Sequence, residues 1–212
     1  MNYYSLTKQS PIASFKEATI LGQAPDKGLY FPESIPQIDK DLIRNIENIS
    51  NEEIAFRVIE PYVGNEIAED ELHRIASETV NFPIPLVKVS ETISSLELFH
   101  GPTFAFKDVA LQMLGNFFEY FLSTGSNGGR LAVLGATSGD TGSAAIYGLR
   151  GKKGVDCIIL FPEGRVSEIQ ERQMTTVKDG NIHCVSVEGT FDDCQDIVKA
   201  SFNDKAFRDR VK

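Results

Sequence analysis

The amino-acid sequence predicts an α/β protein, a doubly wound parallel sheet preceded by a small, mostly helical N-terminal domain. Two observations carry this. Short apolar runs at 131–135, 155–161 and 182–187 alternate with helical patterns at 140–150, 166–178 and 191–202. Strands of that kind, separated by helices, mark βαβ units with helices on both faces of the sheet. Before residue 84 the apolar residues recur instead at spacings near 3.6, the period of amphipathic helices. The run Asn81-Phe82-Pro83-Ile84-Pro85 separates the two styles, because proline ends a helix at or before its neighbour. The expected domains are therefore 1–83 and 84–212.

The elements follow in order. A turn-rich segment from Gly22 to Gly28 leads into Leu29-Tyr30-Phe31-Pro32. Helices are predicted over 39–48, 51–63 and 69–80, each with apolar residues three and four apart. Acidic residues open the last two, at Glu52-Glu53 and Glu69-Asp70-Glu71, as the helix dipole favours. Past the boundary come short strands at 86–89 and 96–99, then a helix over 105–122 that is apolar nearly all round. Such a helix is normally buried on every side. With incomplete cover it would expose a patch at or above the ~300–600 Å2 typical of a monomer's largest.

Composition narrows the function. The 212 residues are 42% hydrophobic and 24% charged, with a net charge of −9. An acidic chain without a Lys/Arg-rich run is unsuited to nucleic acid. No basic segment precedes an apolar one at the N-terminus, and no stretch approaches the ~18 apolar residues of a membrane span. A cytoplasmic protein without membrane attachment is expected. Cys157, Cys184 and Cys194 are widely spaced, as are His73, His100 and His183, so neither a metal site nor a disulfide framework is expected.

Two segments carry chemistry. In Leu98-Phe99-His100-Gly101-Pro102-Thr103-Phe104-Ala105-Phe106-Lys107-Asp108 a strand ends in a Gly-Pro turn and a helix begins, with Lys107 in its first turn between Phe104 and Phe106. Positive charge at a helix N-terminus is disfavoured by ~0.3–1 kcal/mol, which favours the neutral, nucleophilic amine. The plainer reading is a lysine whose head reaches solvent from an ordinary helix. The second segment, Gly135-Ala136-Thr137-Ser138-Gly139-Asp140-Thr141-Gly142-Ser143, reads as a small-residue loop between strand and helix. Its hydroxyls and glycines gather donors at a helix N-terminus, which suits a carboxylate or phosphate. It is neither a P-loop nor a dinucleotide fingerprint. Its plainer reading is helix capping by Ser138 or Asp140.

These two segments together resemble those of the threonine synthases. So do Phe161-Pro162-Glu163-Gly164-Arg165-Val166-Ser167-Glu168-Ile169-Gln170-Glu171, Gly189-Thr190-Phe191-Asp192-Asp193-Cys194-Gln195, and Ala24-Pro25-Asp26-Lys27-Gly28-Leu29-Tyr30-Phe31-Pro32 with Phe15-Lys16-Glu17-Ala18. The resemblance covers nearly the whole chain. It implies a partial fold of the tryptophan-synthase-β type and pyridoxal 5'-phosphate (PLP) held as an imine on Lys107. The implied reaction is O-phospho-L-homoserine plus water giving L-threonine and phosphate, with Lys107 carrying protons. Thr137, Ser138, Gly139 and Thr141 would bind substrate, and Asp140 would face the cofactor's phenolic oxygen. The implied assembly is a monomer or homodimer.

The chain departs from the family's pattern at Tyr4-Ser5-Leu6-Thr7-Lys8, and it stops at Lys212 where the family continues for roughly as long again. The second βα domain, the loop gripping the PLP phosphate and the partner of the pyridine nitrogen are expected beyond that point, and the chain alone is expected to be inactive. Two alternatives stand beside this reading: a threonine-synthase-like phospholyase, and a non-catalytic fragment acting as an interaction module.

Overall fold

The computed structural model describes residues 1–125 and 129–211. Two units meet at the Asn81–Phe82 bond. In the first, β1 (Tyr3–Ser5) pairs antiparallel with β2 (Tyr30–Pro32). Between them lies α1 (Phe15–Leu21), opened by a capping box in which Ser14 and Glu17 satisfy each other's backbone N–H groups. The turn-rich loop is tied down by Asp26. Its carboxylate accepts from the Ser5 hydroxyl at 2.7 Å and from the N–H groups of Gln9 and Gly28, each at 2.9 Å. Partial burial pushes this carboxyl up. Bonds from Thr7, Ser5, Gly28 and Gln9 outweigh that and hold it well below the usual carboxylate range.

Three further helices complete this unit. They are α2 (Lys40–Arg44), α3 (Asn51–Val63, capped by the Ser50 hydroxyl) and α4 (Glu69–Thr79). Phe56 and Val63 of α3 and Leu72, Ile75 and Ala76 of α4 are buried where those two helices pack together. The helix expected over 39–48 is shorter than its pattern. Asn45 leaves helical geometry at φ −109°, ψ 10°, and Ile46–Asn48 continues as a separate 3-10 turn.

The second unit holds the parallel sheet. A hairpin of β3 (Leu86–Lys88) and β4 (Ser94–Leu96) comes first, followed by α5 (Asp108–Thr124). Then β5 (Leu131–Ala136), α6 (Asp140–Leu149), β6 (Val155–Pro162), α7 (Glu168–Thr175) and β7 (Ile182–Val187) alternate, and α8 (Phe191–Asn203) and α9 (Lys205–Val211) follow. The strands lie in the order β5-β6-β7, all parallel, with Gly135 opposite Ile159 and Ile159 opposite Cys184. Central β6 buries Val155, Cys157, Ile159, Leu160 and Phe161, which is why it reads as an apolar run with Asp156 as its one charged residue. Burial, and then the neighbouring Cys184, push the Cys157 thiol up to about 12. All three cysteines are free.

Three sequence expectations are adjusted here. The strands expected at 86–89 and 96–99 pair with each other, antiparallel, Leu86 opposite Leu96, and stand apart from the parallel sheet. Helix α5 starts three residues later than expected, at Asp108, and α7 is confined to Glu168–Thr175. The all-round apolar α5 is also only partly covered. Phe117, Phe118 and Phe121 are buried, while Leu111, Met113, Leu114 and Tyr120 are half-buried.

The contact between α5 and α6 is made of backbone. A Cβ added at Gly115 would stand 2.1 Å from the Gly148 carbonyl oxygen, and one at Gly148 would stand 2.4 Å from that of Leu111. Only glycine permits so close an approach. Two helix starts, one carrying Lys107 and the other carrying the small-residue loop, are thereby held side by side.

Candidate active site

The loop before α5 is shaped by a carboxylate beneath it. Asp108 is fully buried. It accepts from the Thr103 N–H at 2.9 Å and from the Thr103 hydroxyl at 2.5 Å. On the other side the Gln173 side-chain amide of α7 donates to the Thr103 carbonyl at 3.1 Å. Between these ties Phe104 adopts a left-handed backbone, φ 59°. For an aromatic residue that costs on the order of 1–3 kcal/mol, and it persists because the surrounding bonds over-determine it. The chain is thereby turned so that Lys107 occupies the N-cap of α5 rather than its first turn.

Lys107 is not hemmed in as its neighbours in the sequence suggest. Phe104 is 71% exposed and Phe106 61% exposed. The Lys107 ammonium lies 5.5 Å from the Phe106 ring centroid, and its Nζ donates to the Thr141 hydroxyl at 2.5 Å. Residues 34 apart in sequence thus meet, at the carboxyl ends of parallel strands, where open α/β sheets bind their ligands.

Across from Lys107 the loop after β5 divides its side chains. Thr137 and Gly139 are buried, while Ser138, Asp140 and Thr141 are exposed. The Thr137 hydroxyl accepts from the N–H of Gly139 at 3.0 Å and of Gly142 at 2.8 Å, so it serves the loop's own shape. Gly139 has φ 147°, and a Cβ there would stand 2.4 Å from Gln170 Oε1. Its carbonyl accepts from the N–H of Ser143 at 3.1 Å, closing the first turn of α6. The Thr141 hydroxyl and the start of α6 meet the amine, and Ser138 is exposed on the same loop. That arrangement can bind an anion beside a primary amine.

Two side chains passed over in the sequence reading belong to this site. Gln170 of α7 donates through Nε2 to the Asp140 carboxylate, and Gln173 holds the lysine loop. The signal for Gln170 was there but pointed elsewhere. Ser167-Glu168-Ile169-Gln170 reads as a capping box, in which the glutamine would turn back on its own helix. Among the described residues no group of three or more His, Cys, Asp or Glu could hold a metal ion, and no helix is long and apolar enough to cross a membrane.

Comparison with known proteins agrees with this geometry over the whole chain. The family model for the threonine synthase N terminus matches residues 2–80. A threonine synthase of Schizosaccharomyces pombe is 52% identical, the alignment covering 98% of this chain and 43% of that protein. The structure of PLP-bound threonine synthase from Brucella melitensis matches with a TM-score of 0.91 at 44% identity, over 99% of this chain and 46% of that one. The yeast threonine synthase structure matches with a TM-score of 0.87 at 48% identity, over 97% of this chain and 44% of that one. The chain spans about half the length of the curated relatives it matches. With sequence and fold agreeing over nearly its whole length, the chain is similar to threonine synthases, and residues 2–80 match the model for their N terminus.

Proposed function

We propose that this chain supplies the lysine-bearing half of a PLP-dependent threonine synthase, a lyase that turns O-phospho-L-homoserine and water into L-threonine and phosphate. The observation that carries the reading is the 2.5 Å bond from Lys107 Nζ to Thr141 Oγ1. It sets a primary amine against the hydroxyl-rich start of α6. The amine is bonded to a hydroxyl rather than to a carboxylate, which leaves it available to condense with an aldehyde. The residues present therefore fit the cofactor at its covalent end.

PLP, when bound, supplies the electron sink for carbanions at the substrate's α and β carbons. Lys107 would hold it through its amine, and as a free amine would serve as the base and acid that moves a proton between those carbons. Ser138 and Thr141, with the N–H groups at the start of α6, hold the substrate carboxylate or phosphate. Thr137 and Gly139 keep that loop in its binding shape. Asp140 would face the cofactor's phenolic oxygen, with the Gln170 amide as the donor bonded to its carboxylate. The free cysteines fit a cytoplasmic enzyme. The expected assembly is a monomer or homodimer.

The test is to incubate the chain with PLP, reduce with borohydride and map the labelled peptide. Label is expected on Lys107. Label on another lysine would overturn the assignment. In a protein of the relatives' full length that contains this chain, phosphate and threonine should be released together from phosphohomoserine. Phosphate without threonine would mean a phospholyase.

A further inference from the structure

Helix α7 has one buried residue, Met174. Its other side chains are polar or, like Ile169, exposed. Little apolar packing therefore fixes it. Its position is written instead in two glutamines almost one turn apart, on the same side of the helix. Gln173 Nε2 donates to the Thr103 carbonyl of the lysine loop. Gln170 Nε2 donates to the Asp140 carboxylate of the anion loop. The Gln170 amide is itself oriented, because its Oε1 accepts from the Ser167 hydroxyl at 2.7 Å, leaving the NH2 to face Asp140. It lies where a side chain at position 139 would be, and glycine there makes room for it.

We propose that α7 is the brace of the active site, holding the lysine loop and the anion loop in register, and that Gln170 is a positioning residue which aims the Asp140 carboxylate. The proposal deepens the reading of Lys107 as the cofactor's anchor and rests on it for its catalytic meaning. Its physical content is separate: two loops, joined through one short helix by two hydrogen bonds, respond together when either bond is lost. A glutamine serving only as a helix cap would leave the loop around Thr103 indifferent to its removal.

The experiment uses this chain without cofactor and follows amide hydrogen exchange in segments 101–107 and 137–141. Gln170→Met and Gln173→Met keep the side-chain length and remove the donor. Gln170→Glu keeps the shape and sets an acceptor against Asp140. Each variant should speed exchange in both segments by at least about fivefold, the equivalent of one neutral hydrogen bond. Gln170→Glu should have the largest effect. Segment 182–187 in β7 serves as the internal reference and should not change, which separates loosening of the site from failure to fold. A response confined to each glutamine's own partner loop would overturn the brace, as would no response in either loop. Borohydride labelling runs in parallel. If the parent labels Lys107 but the variants exchange normally, the brace fails and the cofactor reading stands. If exchange responds as stated but Lys107 takes no label, the brace stands and the cofactor reading fails. With both intact, the variants should label Lys107 at least about fivefold more slowly, because the amine and its neighbours are no longer held together.

Discussion

Replacing Gly115 by alanine tests whether α5 and α6 are in backbone contact. A methyl there would stand 2.1 Å from the Gly148 carbonyl oxygen and 2.9 Å from its carbon. Neither atom belongs to a side chain that can swing away, so the helices must separate by about 1 Å to reach ordinary contact. Overpacking of a rigid site costs up to about 3 kcal/mol. Alanine's better helix propensity returns about 1 kcal/mol. The net loss is therefore about 2 kcal/mol, or roughly 8 °C in Tm for a unit of this size. Gly180→Ala is the control, since a Cβ there meets nothing within 4 Å. Urea unfolding followed by circular dichroism measures both variants. The separation also widens the gap between Lys107 and Thr141, so reductive labelling of Lys107 should slow in Gly115→Ala alone. A Gly115→Ala chain as stable as the parent would refute the backbone-contact argument.

Thr137→Val should destabilise the second unit by about 2–3 kcal/mol in urea, because it leaves two N–H groups in a buried loop without their acceptor. Asp140→Ala and Thr141→Ala, both exposed, should leave the unfolding midpoint nearly unchanged while impairing turnover in a full-length context, as seen by phosphate release. Asp26→Asn should flatten the acid limb of the stability curve. The Asp26 carboxyl is depressed in the folded chain, so its contribution is present above the unfolded value of ~3.9 and is lost as pH falls below it. The variant should thus be the less stable at pH 6, with the difference shrinking progressively as pH falls below about 4 in parallel melts. Leu86, Val89, Ile93 and Leu96 are each more than half exposed on or beside the hairpin, so light scattering of the isolated chain should show self-association that rises with concentration.

The parallel sheet could be read from the sequence because β5, β6 and β7 are six to eight residues long and apolar enough to show against the helices between them. The same holds for α3 and α4, whose periods run over three turns. Strands β1 to β4 have three residues each. A run so short shows no period, and for β1 and β2 the partner also lies too far along the chain for a local pattern to reveal. The start of α5 was misplaced for a different reason. Nothing in Phe104-Ala105-Phe106-Lys107 forbids a helix, and the turn is imposed by Asp108 and Gln173 through Thr103. Lys107 and the loop at 137–141 stood out through motif chemistry, yet their contact is tertiary. The role of Gln170 was hidden because its local partner, Ser167, explains it almost as well as its distant one.

The order in which the site closes follows from where its parts lie along the chain. Lys107 and Thr141 are separated by 34 residues, and Thr103 and Gln173 by 70. Closing a flexible loop of twice the length costs only about 0.6 kcal/mol more. The amine can therefore meet its hydroxyl as soon as the first strand–helix unit is made, before β7 exists. The outer closure then follows at small entropic cost when α7 emerges. A ribosome adding residues one by one would build the reactive neighbourhood from the inside outward, with each later tie laid over an already formed one.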